Sequence, residues 1–524
     1  MTGARIARRT GGHNARRAVR ELRGVDTFWP GLMSGTYKPL GERDMARIHQ
    51  TALDVLEKLG MSNPLPVLRE KALARGCWID DRGRLCFPRA LVEDVIAATP
   101  QRFTVYGRDP EYDFEFAPGM VTFVPGGSAV TTLDLESRSY RPSTLHDLYD
   151  FARLADRLAH VQKFSRMVVP TEIADLYVAD INTAYAAFAG TRKPFSFSPD
   201  NAGHIDGLLA LMDMIAGGEE KRRQRPFCSF GGCPIVSPLT YGDDKSLICV
   251  EGVRSGAHVQ MVMAPQAGAT APAALAGTLV QVTAESLAAL LLVQLTTPGH
   301  PVSFGPWPFV SDLRTGCFTG GGGEQAVLAA AAAQIGGFYG LPTSVGAGMA
   351  DAKWPDAQMG YEKGMTVALA ALAGGQVAEV CGMMASLMGC SFEAMVIDND
   401  MLGCLQRTLK GIEVTDETLS FEVIRDVVYG PGHFLGHPQT LALMQAEYLY
   451  PEIADRRSQG EWEEAGSPDI LVAAGARARA ILSSHYPEHI DPATDAKIRE
   501  RFEILLPKTA MRPDNGRWRS DARP

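Results

Sequence analysis

The sequence predicts an α/β protein: a (β/α)8 TIM-type barrel carrying an N-terminal α+β extension and a helical C-terminal extension. Three observations carry that expectation. After His160, short apolar or aromatic stretches alternate with helical runs; the alternation repeats through six units and a further strand; and the segments on either side lack it. Such alternation builds a parallel sheet with helices outside, and so many units in series favour closure into a barrel.

Residues 1–40, opening MTGARIARRTGGHNARRAVRELRG, are rich in arginine without the apolar core of a secretory signal, so a flexible arm is expected. Residues 41–155 are expected to form the α+β accessory region. LGERDMARIHQTALDVLEKLG repeats apolar residues at three and four and stops at Gly60, and FPRALVEDVIAATP is bracketed by Pro88 and Pro100. FTVYGRD and MVTFVPGGSAVTTLDL read as strands and turns, and LHDLYDFARLADRLA as the closing helix.

The barrel is expected over 156–400. Its units are VQKFSRMVV with IADLYVADINTAYAAFAG, KPFSFSP with HIDGLLALMDMIAGG, and RPFCSFGG with KSLICVEGVRSGA. HVQMVMAP with AGTLVQVTAESLAALLLVQLTT, PVSFGPWPF with GEQAVLAAAAAQIGGFYG, and PTSVGAGM with DAQMGYEKGMTVALAALAGG follow, and VAEVCGMM supplies a seventh strand. No eighth is evident. SFEAMVIDNDMLGCLQRTLKG reads as one long helix capped by Ser391 and stopped at Gly411, so closure calls on another segment. Residues 401–524 are expected to be a mostly helical, polar extension ending in a charged tail.

A net charge of −9 argues against nucleic acid as the main partner, because phosphate binding needs a basic field. The nine cysteines are scattered and form no CxxC pair, so reduced thiols in a cytoplasmic protein are expected. The most apolar run, AESLAALLLVQLTT at 284–297, is short for a membrane span and carries Glu285, so no membrane is expected.

In such a barrel the active site lies at the C-terminal ends of the strands. There the sequence places Phe197, Pro199 and Asp200; Phe230; Trp307 and Phe309; and Met349, Asp351, Lys353, Trp354 and Asp356. A mouth so rich in aromatic rings suits a quaternary ammonium or methylated amine, held through cation–π attraction. Each ring taken singly fits core packing better than a site; the set at strand ends carries the reading. The run TGGGGEQ opens a helix, and its Glu324 suits either a helix start or an active-site acid. His258 and His300 precede strands and read as structural. His433 and His437 are four apart, but Gly and Pro interrupt any helix that would align them, so no metal site is expected. No GxSxG or Ser-His-Asp order occurs. With neither acid–base set nor metal, the hard step is expected to be carried by something bound elsewhere.

GRDPEYDF (107–114), CPIVSPLT (233–240), LAGTLVQVTAESLAALLLVQLTTPG (275–299), Glu324-Gln325, FYGLP (338–342), DAKWPDAQMGYEKGMT (351–366), VIDND (396–400) and GHFLGHPQT (432–440) run in order along the chain. Together they resemble the trimethylamine methyltransferases that feed corrinoid proteins, over roughly residues 40–450. Archaeal trimethylamine enzymes carry pyrrolysine just before a Ser-Asp-Ala-Lys run. The matching run here is Ala350-Asp351-Ala352-Lys353, which places Met349 at or next to the pyrrolysine position. The chain therefore looks like a non-pyrrolysine member, similar to glycine betaine methyltransferases.

The resemblance implies methyl transfer from a quaternary amine of betaine type to Co(I) of a partner corrinoid protein, with no cofactor tightly bound and a homo-oligomer. A quaternary ammonium already carries the charge that makes a neutral tertiary amine leave, so a cage and a positioning device suffice. Met349, Asp351 and Glu324 become the candidate catalytic positions, the two acids either organising the loop or stabilising the cation. Trp307, Phe309 and Trp354 are expected in the cage with Phe197, Arg314 or Lys353 on a substrate carboxylate, and Asp356 in the loop. The alternatives are another onium donor, a different acceptor such as a pterin, or a non-catalytic betaine binder.

Overall fold

The computed structural model describes residues 29, 31–134, 137–378, 380–513 and 515–518. Most of the expected N-terminal arm lies outside them. The fold is mixed α/β. Eight short parallel strands organise it: β1 (Phe123–Val124), β2 (Phe164–Ser165), β3 (Phe195–Phe197), β4 (Cys228–Gly232), β5 (Val259–Met261), β6 (Val302–Ser303), β7 (Ser344–Gly346) and β8 (Gln376–Ala378). Each leads to a helix: α1 (Leu145–Arg157), α2 (Leu176–Gly190), α3 (Ile205–Ala216), α4 (Asp243–Gly252), α5 (Leu275–Thr296), α6 (Gly323–Phe338), α7 (Ala357–Leu372) and α8 (Phe392–Lys410).

Strands β2 to β6 pair in sequence order as one parallel sheet, and β7, β8 and β1 form a second. A parallel bridge from Phe304 to Thr343 links the two on one side. On the other, Gln162 N–H donates to the Phe123 carbonyl at 3.1 Å, and Ala129 bridges Val168 in parallel. The expectation of one continuous barrel goes beyond these ladders, which record two sheets. The segment around Phe123, read from sequence among accessory strands and turns, pairs in parallel with β8. A two-residue strand carries too little periodicity to announce itself. Strand β4 approaches β5 so closely that a Cβ at Gly231 would fall 1.8 Å from the Gln260 carbonyl oxygen, so glycine is required there.

Helix ends follow local chemistry. Thr144 and Asp147 form a reciprocal capping box at α1, and the side chains of Asp175, Asp356 and Ser391 accept backbone N–H groups at α2, α7 and α8. Among the described residues α5 alone is long and apolar enough to cross a membrane, but it is mostly buried inside the protein. It lies between the sheet and the N-terminal helices Glu42–Asp54, Pro66–Leu73 and Arg89–Ala98, so it is apolar all round.

The C-terminal extension is fastened to α1 and α8. Buried Arg153 donates to the Leu482 carbonyl at 3.0 Å and the His485 carbonyl at 2.6 Å, and Arg517 reaches Asp147 and Asp150 at 2.6 Å each. Between α8 and this extension an arm, 411–449, leaves Ile412, Phe421, Ile424, Val428, Tyr429 and Leu435 exposed.

Candidate active site

A cavity of about 280 Å³ opens at the C-terminal ends of the parallel strands. Its lining includes Phe197, Trp307 and Phe309 with Val262, Ala264 and Leu387, and the polar residues Ser128, Ser165, Arg166, Ser196, Ser198 and Gln260. Among the described residues no aspartate, glutamate, histidine or lysine lines it. The rings are held firmly. Trp307 and Phe309 meet edge to face at 6.4 Å, Phe309 meets Phe318 at 5.0 Å, and Phe197 stacks on Phe195 at 5.2 Å. The Trp307 indole N–H donates to the Ser344 carbonyl at 3.0 Å, which fixes the ring plane. Gly346 makes room for both rings: a Cβ there would sit 2.9 Å from Trp307 and 3.0 Å from Phe309.

Met349 packs behind this wall, buried with Val124, Trp307, Phe309 and Ala378. Asp351 ties the surrounding loops together. Its carboxylate accepts from the Thr319 hydroxyl, from Gly320 N–H at 2.9 Å and Gly321 N–H at 3.3 Å, and from the Ser386 hydroxyl at 2.8 Å. Its own N–H donates to Glu362 at 2.7 Å, as does that of Ala352 at 3.1 Å. The last of the accepted bonds matters because Ala385, Ser386 and Leu387 all have positive φ, 50°, 55° and 73°. Three successive non-glycine residues in that region cost about 1–2 kcal/mol each, so something must hold them. Asp351 does, together with Ala385 N–H on the Ala352 carbonyl and Ser386 N–H on the Ala350 carbonyl. The held turn presents Leu387 to the cavity.

Beneath the cavity lies Lys163, fully buried. Its ammonium donates to Gln260 Oε1 at 2.9 Å and the Ser229 hydroxyl at 3.4 Å, and burial pushes its pKa down to about 7. Behind the β3 end, Asp180 accepts from Asp200 N–H at 2.8 Å and pairs with His204 at 2.7 Å; burial raises its pKa. Lys363 and Asp398 form a buried ion pair at 2.6 Å, and Asp398 also takes Gly382 N–H at 2.7 Å.

The remaining expected residues lie outside the cavity lining. Trp354 sits under the Arg138 guanidinium at 5.5 Å, and Lys353 is exposed with its ammonium on the Asp351 carbonyl at 2.6 Å. Arg314 is 88% exposed and pairs with Asp312 at 2.6 Å. Asp356 caps α7, and Glu324 is exposed in the first turn of α6. His300 Nε2 donates to the Ala257 carbonyl at 2.8 Å, and His437 caps the helix Pro438–Ala446. Among the described residues one group has metal-ligand spacing: Asp156 Oδ2 lies 2.8 Å from His485 Nε2 and 3.1 Å from His489 Nε2, where the C-terminal extension docks.

Sequence reasoning missed Arg166, Gln260, Lys163 and Leu387. A signal existed in VQKFSRMVV, where Lys163 and Ser165 alternate with apolar residues and so share one face of a strand. Nothing local marks Leu387, which arrives from a loop.

The trimethylamine methyltransferase (MTTB) family profile matches residues 9–503. The chain is 31% identical over 463 residues to trimethylamine methyltransferase MttB of Desulfitobacterium hafniense, covering 88% of this chain and 92% of that one. It is 32% identical over 470 residues to MttB2 of Methanosarcina mazei (89% and 94% covered), and 30% identical over 471 residues to a glycine betaine methyltransferase of Desulfitobacterium hafniense (89% and 97%). Among solved structures, monomethylamine methyltransferase MtmB of Methanosarcina barkeri aligns over 89% of this chain and 96% of its own, at 12% identity and a TM-score of 0.46, a likeness too remote to bear on the architecture.

Proposed function

The chain belongs to the trimethylamine methyltransferase family and is a methyltransferase; from that premise we propose that it takes a methyl group from a quaternary amine of betaine type and passes it to Co(I) of a partner corrinoid protein. The cavity carries the reading. Three aromatic rings line the space, an arrangement that suits a permanent cation held by cation–π attraction. A reduced corrinoid supplies the nucleophilic cobalt that accepts the methyl group. At about 280 Å³ the cavity fits a small donor and leaves a macrocycle outside, on its own carrier protein.

The chain's residues then have defined tasks. Phe197, Trp307 and Phe309 hold the ammonium and fix its orientation. Leu387 narrows the mouth and excludes water, supported by Asp351 as a positioning residue. The leaving group departs as a neutral tertiary amine, so no proton is called for, and among the described residues no carboxylic acid, histidine or lysine lines the cavity to give one. Met349, where the resembling trimethylamine enzymes carry pyrrolysine, backs the ring wall; a thioether neither protonates an amine nor adds to it. Glu324 and Asp356 serve their helix starts, and Trp354, Lys353 and Arg314 the outer loops.

The two parallel sheets read as halves of one (β/α)8 barrel, with β1 as the closing strand. In that arrangement α8 runs away from the cavity, and the arm after it lies at the far end. Phe421, Ile424 and Val428 fall at three- and four-residue spacing on one exposed helix face. With Ile412, Tyr429 and Leu435 they form an exposed apolar patch of the kind that marks an interface. Self-association through this arm leaves the mouth free for the corrinoid carrier.

Incubation with glycine betaine and reduced corrinoid protein tests the reaction. Dimethylglycine and methylcobalamin should appear in equal amounts. Tight betaine binding with neither product would leave a binding protein instead.

A further inference from the structure

We propose that Arg166 and Gln260 form an anion subsite in the aromatic cavity, so that the methyl donor must carry a carboxylate a short distance from its ammonium. The inference rests on the methyl-transfer reading above and adds the group that selects among donors.

Among the described residues Arg166 is the one formally charged side chain on the cavity lining. Its side chain is 13% exposed, yet few of its donors are used. Nε–H donates to the Ser128 hydroxyl at 3.1 Å. The Asp200 carboxylate lies 3.9 Å from Nη1, beyond hydrogen-bond reach. A guanidinium has five N–H donors in a planar fork that matches a carboxylate two-to-two. With Nε occupied, the terminal nitrogens have the cavity to serve. Asp200, paired at 3.9 Å, balances part of the charge without filling the fork.

Gln260 adds a second donor. Its Oε1 accepts from Lys163 Nζ at 2.9 Å, which leaves the amide NH₂ for another partner. Gln260 also lines the cavity, where that NH₂ takes an acceptor. The hydroxyls of Ser165, Ser196 and Ser198 line the same side. The lining thus offers aromatic rings and hydrogen-bond donors and, among the described residues, no carboxylate. A cation alone would meet the guanidinium as a like charge; a zwitterion satisfies both the rings and the donors.

Glycine betaine and choline separate these cases, since both carry trimethylammonium and only the first carries a carboxylate. Their affinities for the full-length protein, measured by calorimetry without corrinoid, should differ by at least about 30-fold in favour of glycine betaine. Arg166→Gln should remove roughly 30- to 100-fold of glycine betaine affinity and change choline by less than about 3-fold, with Arg166→Lys in between. If Arg166→Gln does not fold, Gln260→Leu decides, with a loss of about 5- to 10-fold for glycine betaine alone. Equal affinity for the two ligands in the unaltered protein, or equal loss of both in a folded variant, overturns the subsite. Selective binding without methyl transfer upholds the subsite and removes the reaction. Methyl transfer from choline as readily as from betaine does the reverse.

Discussion

Replacing Lys163 by methionine should stabilise the protein in acid and not in base. In the fold burial holds the ammonium at about 7, against 10.5 when exposed. Between those values the unfolded chain binds a proton that the folded chain does not, so stability rises with pH across the window and the cost is complete below it. That cost is about 5 kcal/mol near pH 6 and about 1.5 kcal/mol near pH 9.5. The substitution also removes the hydrogen bonds to Gln260 and Ser229, worth about 1–2 kcal/mol together. Lys163→Met should therefore gain about 3 kcal/mol near pH 6 and be roughly neutral near pH 9.5. For a chain of 524 residues one degree of melting temperature corresponds to about 1 kcal/mol, so the Tm advantage should shrink by about 3 °C over that range. Differential scanning calorimetry of both proteins across the pH series reads it directly. A Tm difference that stays constant with pH would refute the assignment of a deprotonating lysine beneath the cavity.

Three further outcomes are expected. Trp307→Ala should raise KM for the quaternary amine by roughly 30-fold, while Trp307→Phe, which keeps a ring face, should raise it by less than about 5-fold; steady-state kinetics distinguish them. Asp351→Ala should free the left-handed turn at 385–387, and with about 3 kcal/mol of local support gone its amides should exchange on the order of 100-fold faster by mass spectrometry. Lys363→Met leaves Asp398 buried without its counter-ion and should cost about 3–5 kcal/mol, whereas Lys363→Met with Asp398→Leu should recover most of it, both read as Tm.

Much of the core was legible because it is built from strong local patterns. Seven strands and their helices announce themselves by alternation, and α8 by Ser391 and Gly411 at its ends. The strand β1 was not, because the ladder partners of Phe123 and Val124 lie more than 250 residues away. The site divides the same way. Trp307, Phe309 and Phe197 stand at strand ends, where the alternation points. Arg166 is equally close to a strand end but reads in isolation as an ordinary surface charge. Its free donors and the absence of carboxylates around the cavity emerge only when seven strand ends converge. Arg314 and Lys353 offered the right charge in the right part of the sequence, but their side chains close on Asp312 and on the Asp351 carbonyl.

The central claim is that the aromatic cavity demethylates a quaternary amine and not a tertiary one. Its most direct test is the initial rate of cob(I)alamin loss on the cognate corrinoid protein, followed by absorbance, with glycine betaine and trimethylamine compared at equal concentration. Turnover of glycine betaine exceeding that of trimethylamine by at least about 100-fold is the expected result, the ratio that about 2.7 kcal/mol of selective stabilisation produces. Turnover of trimethylamine with glycine betaine inert would contradict it.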